Sequence, residues 1–327
     1  MNWRDKPVLV TGAGGFIGSH LVEKLVALGA QTRAIVQYRS NGSWGWLDTS
    51  PVKDQVQVIV GDVRDPDSVS QAMRGSQVVF HLAALIGIPY SYQAPLSYVR
   101  TNVEGTMNVL QAARQFQVER VVHTSTSEVY GSARYVPIDE AHPLQGQSPY
   151  SASKIGADMM AQAFCQSFDL PVSIIRPFNT YGPRQSSRAI IPTIISQALT
   201  ATSIRLGSLS PYRDFNYVQD TVEGFIKIAE GSGAAGDPIN IGSGVEISVG
   251  ELAKLILEIL DKDLPILRDE QRIRPAGSEV QRLQADNRKA QNTIGWSPQY
   301  TLREGLGLTI EWIRENIERY RAGPYAI

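Results

Sequence analysis

Two side chains that can move a proton together, Tyr150 and Lys154, lie four residues apart. Residues at this spacing lie on one face of a helix, so the phenol and the ammonium would point into the same space. A free tyrosine ionises near pH ~10, and a neighbouring positive charge stabilises the phenolate and lowers that pKa. The pair is therefore predicted to act as a general base toward a hydroxyl group. The alternative is a tyrosine and a lysine on a solvated helix face.

A second group of reactive side chains lies upstream, in the segment His123–Gly131, which reads HTSTSEVYG. Its hydroxyls and its carboxylate are expected at the carboxyl end of a strand, where open α/β sheets bind their ligands. Thr126 is predicted to hydrogen-bond the same hydroxyl that Tyr150 attacks, and Glu128 to serve as a second acid or base. The residues alone leave open whether Glu128 instead caps a turn.

Three glycines near the N-terminus, Gly12, Gly15 and Gly18, follow the apolar run Val8–Thr11. Apolar residues after them recur at helical spacing, so the glycines lie where a strand turns into a helix. Bare backbone N–H groups and the positive end of a helix at such a turn can bind the pyrophosphate of a dinucleotide. An ordinary tight turn is the competing interpretation. A bound oxidised nicotinamide would add a second positive charge that stabilises the Tyr150 phenolate.

The end of the second predicted strand bears on which dinucleotide binds. It reaches Arg39 without the acidic residue that would bind the adenosine ribose hydroxyls and favour NAD. Arg39 permits a ribose 2′-phosphate and hence NADP, whereas Ser40 or Asn41 could serve a plain ribose. NAD and NADP therefore both stay open. Trp44 and Trp46 either line the adenosine end of the cofactor or only pack a loop.

Strand and helix patterns alternate along the first half of the chain, which predicts a parallel sheet with helices on both faces. The predicted fold class is α/β, a doubly wound Rossmann sheet with a smaller mixed α/β lobe. Residues 1–178, joined by 221–242, are expected to form the dinucleotide-binding domain, and 179–220 with 243–327 the substrate lobe. The predicted strands are Val8–Thr11, Gln31–Gln37, Gln57–Val60, Gln77–Leu82, Arg120–Ser125, Val172–Pro177 and Pro238–Gly242. The predicted helices include Tyr98–Phe116, Pro149–Phe168 after an N-cap at Ser148, Thr221–Glu230, Val249–Leu260 and Leu302–Arg319.

The composition of the 327 residues indicates a soluble globular protein, with 43% hydrophobic and 19% charged residues and a formal net charge of −1. This balance does not indicate a surface that binds nucleic acid. The single cysteine, Cys165, excludes internal disulfides and favours a reducing cytosol. The first strand begins too near Met1 for a signal peptide, and no apolar run is long enough to span a bilayer. The four histidines lack metal-ligand spacing, so no metal is expected.

Together these motifs resemble those of the extended short-chain dehydrogenase/reductase family, in its nucleotide-sugar epimerase and dehydratase group. The similarity covers essentially the whole chain. Thr126, Ser127 and Glu128 before Val-Tyr-Gly form the triplet that 4,6-dehydratases carry, most like GDP-mannose 4,6-dehydratase. The dTDP-glucose type has Thr-Asp-Glu, so this chain departs from it at Ser127, and epimerases usually lack the glutamate. The matching segments are TGAGGFIG, HLAA, NVEGT, STSEVYG, YSASK, RPFNTYGPRQ and RDFNYVQD.

The resemblance implies a 4,6-dehydratase that acts on nucleotide-linked N-acetylglucosamine and keeps NAD or NADP tightly bound. Tyr150, with Lys154, would take the proton of the carbon 4 hydroxyl. Glu128 would remove the proton of carbon 5, while Thr126 or Ser127 would orient the leaving hydroxyl of carbon 6. The substrate would contact Asn179, Arg184, Arg213 and Arg274. The cofactor would contact Gly12, Gly15, Phe16, Ile17, Gly18, Arg39, Asp62, Val63, Leu82, Ala83, Ala84, Tyr150, Lys154 and Pro177.

Two other functions stay open: a nucleotide-sugar 4-epimerase or decarboxylase on the same scaffold, and a non-catalytic dinucleotide sensor. A sensor need not keep a proton-transfer set, so the presence of Tyr150, Lys154 and Thr126 counts against it. Members of the group pair two helices from each subunit. The apolar faces of Tyr98–Phe116 and Met159–Phe168 exceed what one covering layer needs, so a cytoplasmic homodimer is expected. The nucleotide base and the exact sugar stay open.

Overall fold

The computed structural model describes residues 1–231, 235–272 and 275–320. Its strands are β1 (Pro7–Thr11), β2 (Gln31–Val36), β3 (Gln57–Val60), β4 (Val78–His81), β5 (Arg120–Thr124), β6 (Val172–Pro177), β7 (Asn179–Tyr181), β8 (Ile204–Leu206), β9 (Tyr212–Tyr217), β10 (Pro238–Ile241), β11 (Glu246–Ser248), β12 (Ile266–Arg268) and β13 (Arg282–Leu283). Its helices are α1 (Phe16–Ala27), α2 (Pro66–Met73), α3 (Ile88–Gln93), α4 (Pro95–Tyr98), α5 (Gly105–Gln115), α6 (Pro149–Phe168), α7 (Ile190–Thr200), α8 (Val218–Glu230), α9 (Val249–Ile259), α10 (Arg288–Ile294), α11 (Leu302–Glu315) and α12 (Ile317–Tyr320).

Seven parallel strands form the large sheet, in the spatial order β3-β2-β1-β4-β5-β6-β10. The strand order reverses between β1 and β4, which are direct neighbours. In an open α/β sheet this reversal opens a crevice at the carboxyl ends of the strands. The predicted doubly wound α/β fold is therefore confirmed, and β10 lies at the edge of the sheet beside β6.

The two faces of the large sheet pack against different helices. Alternate residues of β1 point to opposite faces, as the period of a strand requires. Val8 and Val10 belong to a core cluster that also contains residues of α1 and α8. Leu9 lies in a second cluster with residues of α2, α5 and α6. Each face thus has its own apolar core, which holds the helices that follow the site loops.

Smaller sheets are built from the second half of the chain. Strand β9 pairs with β7, β11 and β13, and β8 pairs with β12 in a two-stranded ribbon. Strand β7 begins only two residues after β6 ends. The chain therefore passes from the large sheet into the smaller ones directly beside the carboxyl end of β6.

Helix α6 begins and ends at the predicted residues, Pro149 and Phe168. Ser148 caps it, because its hydroxyl accepts a hydrogen bond from the Ser151 backbone N–H at 3.1 Å while the Ser151 side chain accepts from the Ser148 backbone N–H. Pro149 occupies the first turn, where its missing N–H costs nothing. These local signals place the start of the helix that carries Tyr150 and Lys154.

The prediction of one regular helix over Tyr98–Phe116 is wrong. Helix α4 ends at Tyr98, Val99–Glu104 form a π-helical turn, and α5 follows. A π-turn inserts a residue into the helix and turns side chains toward a site. Here it directs Asn102 to the backbone of Leu85. The contact is distant in sequence, which is why helical periodicity does not predict it.

The closing helix is also shorter than the predicted Leu302–Arg319. Helix α11 ends at Glu315, and the four-residue α12 follows Asn316. The Asn316 side chain donates back to the Trp312 carbonyl at 2.9 Å, so it competes with the regular helical pattern. Among the helices in the described part of the chain, none is both long and apolar enough to cross a membrane.

Candidate active site

The predicted site residues lie in loops at one edge of the large sheet. The glycine turn follows β1, Leu82, Ala83 and Ala84 follow β4, and Thr126 follows β5. Because the strands are parallel, their carboxyl ends meet at this edge. The topology therefore brings the predicted dinucleotide turn and the predicted proton-transfer residues to the same side of the molecule.

The glycine turn is a cradle with no room for side chains. Gly12 has φ +69°, and a Cβ there would lie 2.7 Å from the Ala83 backbone nitrogen. A Cβ on Gly18 would lie 2.3 Å from the Gly12 carbonyl oxygen. Gly15 is the N-cap of α1 without a side-chain cap, so backbone N–H groups of the first turn stay available. These features fit the pyrophosphate of a dinucleotide. The first turn includes Phe16 and Ile17, both predicted to contact the cofactor.

A buried chain of hydrogen bonds holds the loop after β4 in place. Thr106 donates its hydroxyl proton to the Asn102 carbonyl at 2.6 Å, so it must accept from His81 Nε2 at 3.0 Å. Burial lowers the pKa of His81 well below its usual value, which leaves Nδ1 of the neutral ring as an acceptor. Thr11 then donates to Nδ1 at 2.8 Å and accepts from the Ala83 N–H at 3.1 Å. The position of Ala83 is thereby tied to β1 and α5.

Tyr150 is buried beside both reactive side chains of the β5 loop. Burial raises the pKa of Tyr150, a hydrogen bond with the Thr126 side chain lowers it, and the negative charge of Glu128 raises it again. The polypeptide alone therefore raises this pKa, whereas the sequence predicts that the Lys154 ammonium and a bound oxidised nicotinamide together lower it. The structure nevertheless brings Thr126 and Glu128 to the phenol, which is the arrangement that the predicted roles require.

The Lys154 ammonium lies against the main chain of β5. It donates a hydrogen bond of 2.5 Å to the Thr124 carbonyl. Burial lowers the pKa of Lys154 to about 8, and the charge of Asp158 acts in the opposite direction. One of the three ammonium protons is therefore directed at the strand.

Thr126 rather than Glu128 caps the turn that follows β5. The residues Ser127–Tyr130 form a 3₁₀ turn, and the Thr126 side chain accepts from the Glu128 backbone N–H at 3.3 Å. Ser127 is buried and Glu128 is half-buried. The Tyr130 hydroxyl donates to Asn240 at 2.8 Å, which ties the end of the turn to β10. The turn that carries Glu128 is therefore capped and tethered without using the Glu128 carboxylate.

Sequence reasoning missed a buried charge cluster beneath Lys154. Asp158 accepts from Ser125 at 2.6 Å and from Arg176 at 3.0 Å, and His123 lies 3.2 Å away. Burial alone would raise the pKa of Asp158, but His123, Arg176 and Ser125 together lower it. The signal was present in the sequence: Asp158 lies four residues after Lys154, on the same helix face. The cluster fixes α6 to the ends of β5 and β6.

Tyr98 and Asn102 connect the loop after β4 to the helix of the predicted base. The Tyr98 ring packs edge-to-face on Tyr150, with centroids 6.2 Å apart, and its hydroxyl donates to the Gly87 carbonyl. The Asn102 amide bonds both backbone groups of Leu85. It also donates to the Ser153 hydroxyl at 2.9 Å. Sequence reasoning did not single out either residue, because their partners lie in other elements.

The predicted adenosine side of the cofactor site is more open. Arg39 is exposed at the end of β2. Asp62 forms a 2.5 Å ion pair with Arg64, which lowers the pKa of the Asp62 carboxyl through hydrogen bonding. Val63 is buried, and its carbonyl accepts from Asn108 at 3.0 Å. These residues follow β2 and β3, which lie in that order beside β1 in the sheet.

The predicted substrate residues occupy three places. Asn179 follows Pro177 at the end of β6 and donates to the Asp214 carbonyl at 3.2 Å. Arg213, on β9, is paired with Glu279 at 3.2 Å. Arg184 lies against α1, where it pairs with Glu23 at 2.8 Å and bonds the Ser19 hydroxyl at 3.2 Å. Arg274 lies outside the described residues.

Within the described ranges of the chain, no three histidine, cysteine or acidic side chains are grouped closely enough to hold a metal ion. The site combines the Tyr150 phenol, the Lys154 ammonium, the Thr126 hydroxyl and the Glu128 carboxylate, with Ser127 on the same turn as Glu128. That set can move protons to and from a hydroxyl and an adjacent carbon.

The chain is similar to known proteins over most of its length. The family model described as GDP-mannose 4,6 dehydratase matches residues 9–309. The UDP-glucose 4-epimerase of Mycolicibacterium smegmatis is 36% identical over 313 residues, which cover 94% of this chain and 98% of that protein.

Two solved structures are similar over nearly their whole length. The dTDP-glucose 4,6-dehydratase of Streptomyces venezuelae, solved with NAD bound, superposes with a TM-score of 0.87 at 32% identity and covers 96% of this chain and 98% of its own. The UDP-N-acetylglucosamine 4-epimerase of Methanobrevibacter ruminantium M1, in complex with UDP-N-acetylmuramic acid, has a TM-score of 0.87 at 29% identity and covers 96% and 99%. Dehydratases and epimerases thus both stand among the similar proteins.

Proposed function

The chain belongs to the extended short-chain dehydrogenase/reductase family of nucleotide-sugar dehydratases and epimerases, and we propose that within this family it is a 4,6-dehydratase. The substrate is a nucleotide-activated hexose, and the product is the 4-keto-6-deoxy sugar. Within this class we propose a nucleotide-linked N-acetylglucosamine. The observation that carries the choice of dehydration is Glu128, held by a capped turn close to Tyr150.

Tyr150 takes the proton of the carbon 4 hydroxyl in this proposal. Its hydrogen bond with the Thr126 side chain supports the role, because Thr126 can contact the same substrate hydroxyl. Lys154 supplies a positive charge on the same helix face and is anchored to Thr124. Because burial alone raises the Tyr150 pKa, proton transfer depends on positive charge gathered around the phenol.

Glu128 removes the carbon 5 proton once carbon 4 is a ketone. A ketone makes the neighbouring proton acidic, so a carboxylate suffices as the base. The carbon 6 hydroxyl, oriented by Thr126 or Ser127, takes up the proton that Glu128 has accepted and leaves as water. When hydride returns to carbon 6, carbon 5 receives a proton from solvent. Thr126 caps, and Ser127 begins, the turn that carries Glu128, which supports one site for both proton transfers.

A nicotinamide dinucleotide, when bound, supplies the hydride acceptor and donor, so that no net oxidation occurs. Gly12, Gly15 and Gly18 would hold its pyrophosphate against α1, and Ala83 would border it across the turn. We propose NAD, as in the similar S. venezuelae enzyme. The exposed Arg39 keeps NADP as the competitor, and mass spectrometry of nucleotide released from the purified protein separates the two.

A 4-epimerase is the second candidate, because the M. smegmatis relative carries that name at 36% identity. It needs Tyr150 and the cofactor but no base for carbon 5. Incubation with a panel of GDP-, UDP- and dTDP-hexoses, read by mass spectrometry, separates the candidates. Loss of one water supports the dehydratase, an unchanged mass with a new retention time supports the epimerase, and loss of carbon dioxide indicates a decarboxylase.

The assembly and layout follow the same proposal. Residues 1–178 with 221–242 would carry the dinucleotide, and 179–220 with 243–327 the nucleotide sugar. The enzyme would work in the cytoplasm as a homodimer. Arg213 and Arg274 would meet the substrate diphosphate, where a guanidinium fork matches phosphate oxygens.

A further inference from the structure

The loop between β2 and β3 rests directly on the glycine turn. Trp46 donates its backbone N–H to the Gly14 carbonyl at 3.0 Å. Gly45 has φ +72°, and a Cβ there would lie 2.3 Å from that same carbonyl oxygen. Gly14 stands between Gly12 and Gly15 of the phosphate cradle. Because of these two contacts, a movement of the loop would also shift the Gly14 backbone, which belongs to the turn that would hold a pyrophosphate.

The loop is itself a small folded unit. Asp48 accepts from the Ser43 hydroxyl at 2.6 Å and from the Trp44 N–H at 2.9 Å. Leu47 is fully buried in the core cluster around α1. Ser50 donates to Glu23 of α1 at 2.7 Å. The loop is therefore folded and held against α1, and contacts made by Trp46 add to that hold.

Two side chains from the C-terminal helices, Trp312 and Arg319, contact Trp46 of this loop, and we call the three residues the Trp46 clamp. The Trp46 ring meets the Trp312 ring edge-to-face, with centroids 5.3 Å apart. The Arg319 guanidinium lies over Trp46, 4.9 Å from the ring centroid. Aromatic pairs and cation–π contacts of this geometry are attractive. These contacts therefore come from α11 and α12, at the far end of the chain.

The C-terminal helices are in turn anchored beside the site. Trp312 packs edge-to-face on Tyr320, with centroids 5.7 Å apart. The buried Tyr320 hydroxyl donates to the Gln185 carbonyl at 2.9 Å. Arg184, next to Gln185, is paired with Glu23 of α1. The loop, α1 and the C-terminal helices are thus connected by direct contacts beside the glycine turn.

We propose that the Trp46 clamp retains the dinucleotide: Trp46, Trp312 and Arg319 are positioning residues that keep the loop closed and slow cofactor release. The inference rests on the proposed function, since it assumes a dinucleotide on the glycine turn. A reaction that takes a hydride and returns it requires a cofactor that stays bound through the cycle. The Trp46 clamp would help to keep the cofactor bound, although its three residues take no part in the chemical steps.

The test measures release rather than turnover. Protein loaded with NADH is diluted into a large excess of NAD⁺, and the loss of bound-NADH fluorescence gives the release rate. Trp312→Ala and Arg319→Ala should each release NADH faster, by about tenfold or less, the range expected for one lost aromatic or cation–π contact. Arg314→Ala, an exposed arginine on α11, is the matched control and should release at the parent rate.

The outcomes separate the clamp from the proposed function. Arg319 is exposed, so Arg319→Ala keeps the core intact even where Trp312→Ala lowers stability. Trp46→Phe keeps an aromatic ring and should fall between the parent and Trp46→Ala. If Trp312→Ala and Arg319→Ala both release NADH at the parent rate, and every protein binds NADH, the clamp proposal is wrong and the proposed function is unaffected. A parent protein that binds neither NADH nor NADPH overturns both the clamp and the proposed function.

Discussion

The Lys154 ammonium donates a hydrogen bond of 2.5 Å to the Thr124 carbonyl, two residues before the threonine that bonds Tyr150. The lysine and the phenol are therefore positioned by the same short stretch of main chain at the end of β5. Asp158 holds that stretch from beneath through Ser125 and His123. Anything that shifts the end of β5 should move both groups of the proposed proton-transfer pair.

Removing the phenolic hydroxyl should abolish most of the activity. In Tyr150→Phe the ring keeps its packing on Tyr98 but loses the base for the carbon 4 hydroxyl. We expect kcat to fall roughly a hundredfold or more, as for loss of a general base, with a much smaller change in substrate affinity. Steady-state kinetics with the accepted nucleotide sugar measures both, and near-parent kcat would remove Tyr150 from the mechanism.

The lowered pKa of Lys154 predicts how its contribution to stability depends on pH. The folded pKa is about 8 because of burial, against 10.5 for the free side chain. Between these values the unfolded chain binds more protons than the folded one, so stability rises with pH there. The free energy of unfolding of the parent, minus that of Lys154→Met, should increase from pH 8 to 10.5 and be level below pH 8. Urea denaturation across that range measures it, and a flat difference would contradict the assignment.

Breaking the buried ion pair of Asp158 and Arg176 should lower the free energy of unfolding strongly. Asp158 is 0% exposed and the Arg176 side chain 2%. Asp158→Asn leaves a buried guanidinium without its counter-charge, which typically costs about 3–5 kcal/mol of unfolding free energy. Denaturant unfolding checks this. The control is Glu258→Gln, which breaks a surface pair with Arg303 and should cost under about 1 kcal/mol; equal effects would show that burial does not matter here.

Exposed apolar side chains lie on the segments that are predicted to form the homodimer contact. Val99 is 49% exposed and Met159 43% exposed, on neighbouring elements that touch where Val103 meets Gly156. We expect a dimer mass by light scattering at micromolar concentration, and a shift toward monomer in Met159→Glu, which places a charge in the apolar contact. Leu308→Glu, an equally exposed position on α11, should leave the mass unchanged. A monomeric parent would contradict the dimer.

Local signals explain what the sequence could predict. Helix α6 begins and ends as predicted because its start depends on Ser148 and Pro149, which are adjacent in sequence. The positions of the strands along the chain and of the glycine turn follow from apolar runs and spacing. Tyr150, Lys154, Thr126 and Glu128 could be selected because each lies in a short, distinctive motif.

Contacts between distant segments explain what it could not. The π-turn depends on Asn102 meeting Leu85, which helical periodicity cannot reveal. The raised pKa of Tyr150 depends on how deeply the fold buries it. The sequence alone does not show whether Trp46 lines the cofactor or packs a loop, because its partner Trp312 belongs to the other end of the chain.

The proposal that Glu128 is the carbon 5 base is tested most directly by Glu128→Gln, assayed with substrate in deuterium oxide. Glutamine keeps the shape of the side chain and the Thr126-capped turn but cannot accept the proton. Oxidation at carbon 4 does not need Glu128, so near-ultraviolet absorbance of reduced nicotinamide should rise and persist. Little 4-keto-6-deoxy product should form, and deuterium should not enter carbon 5. Parent-rate formation of that product with deuterium at carbon 5 would show that the carboxylate is structural and that another group is the base.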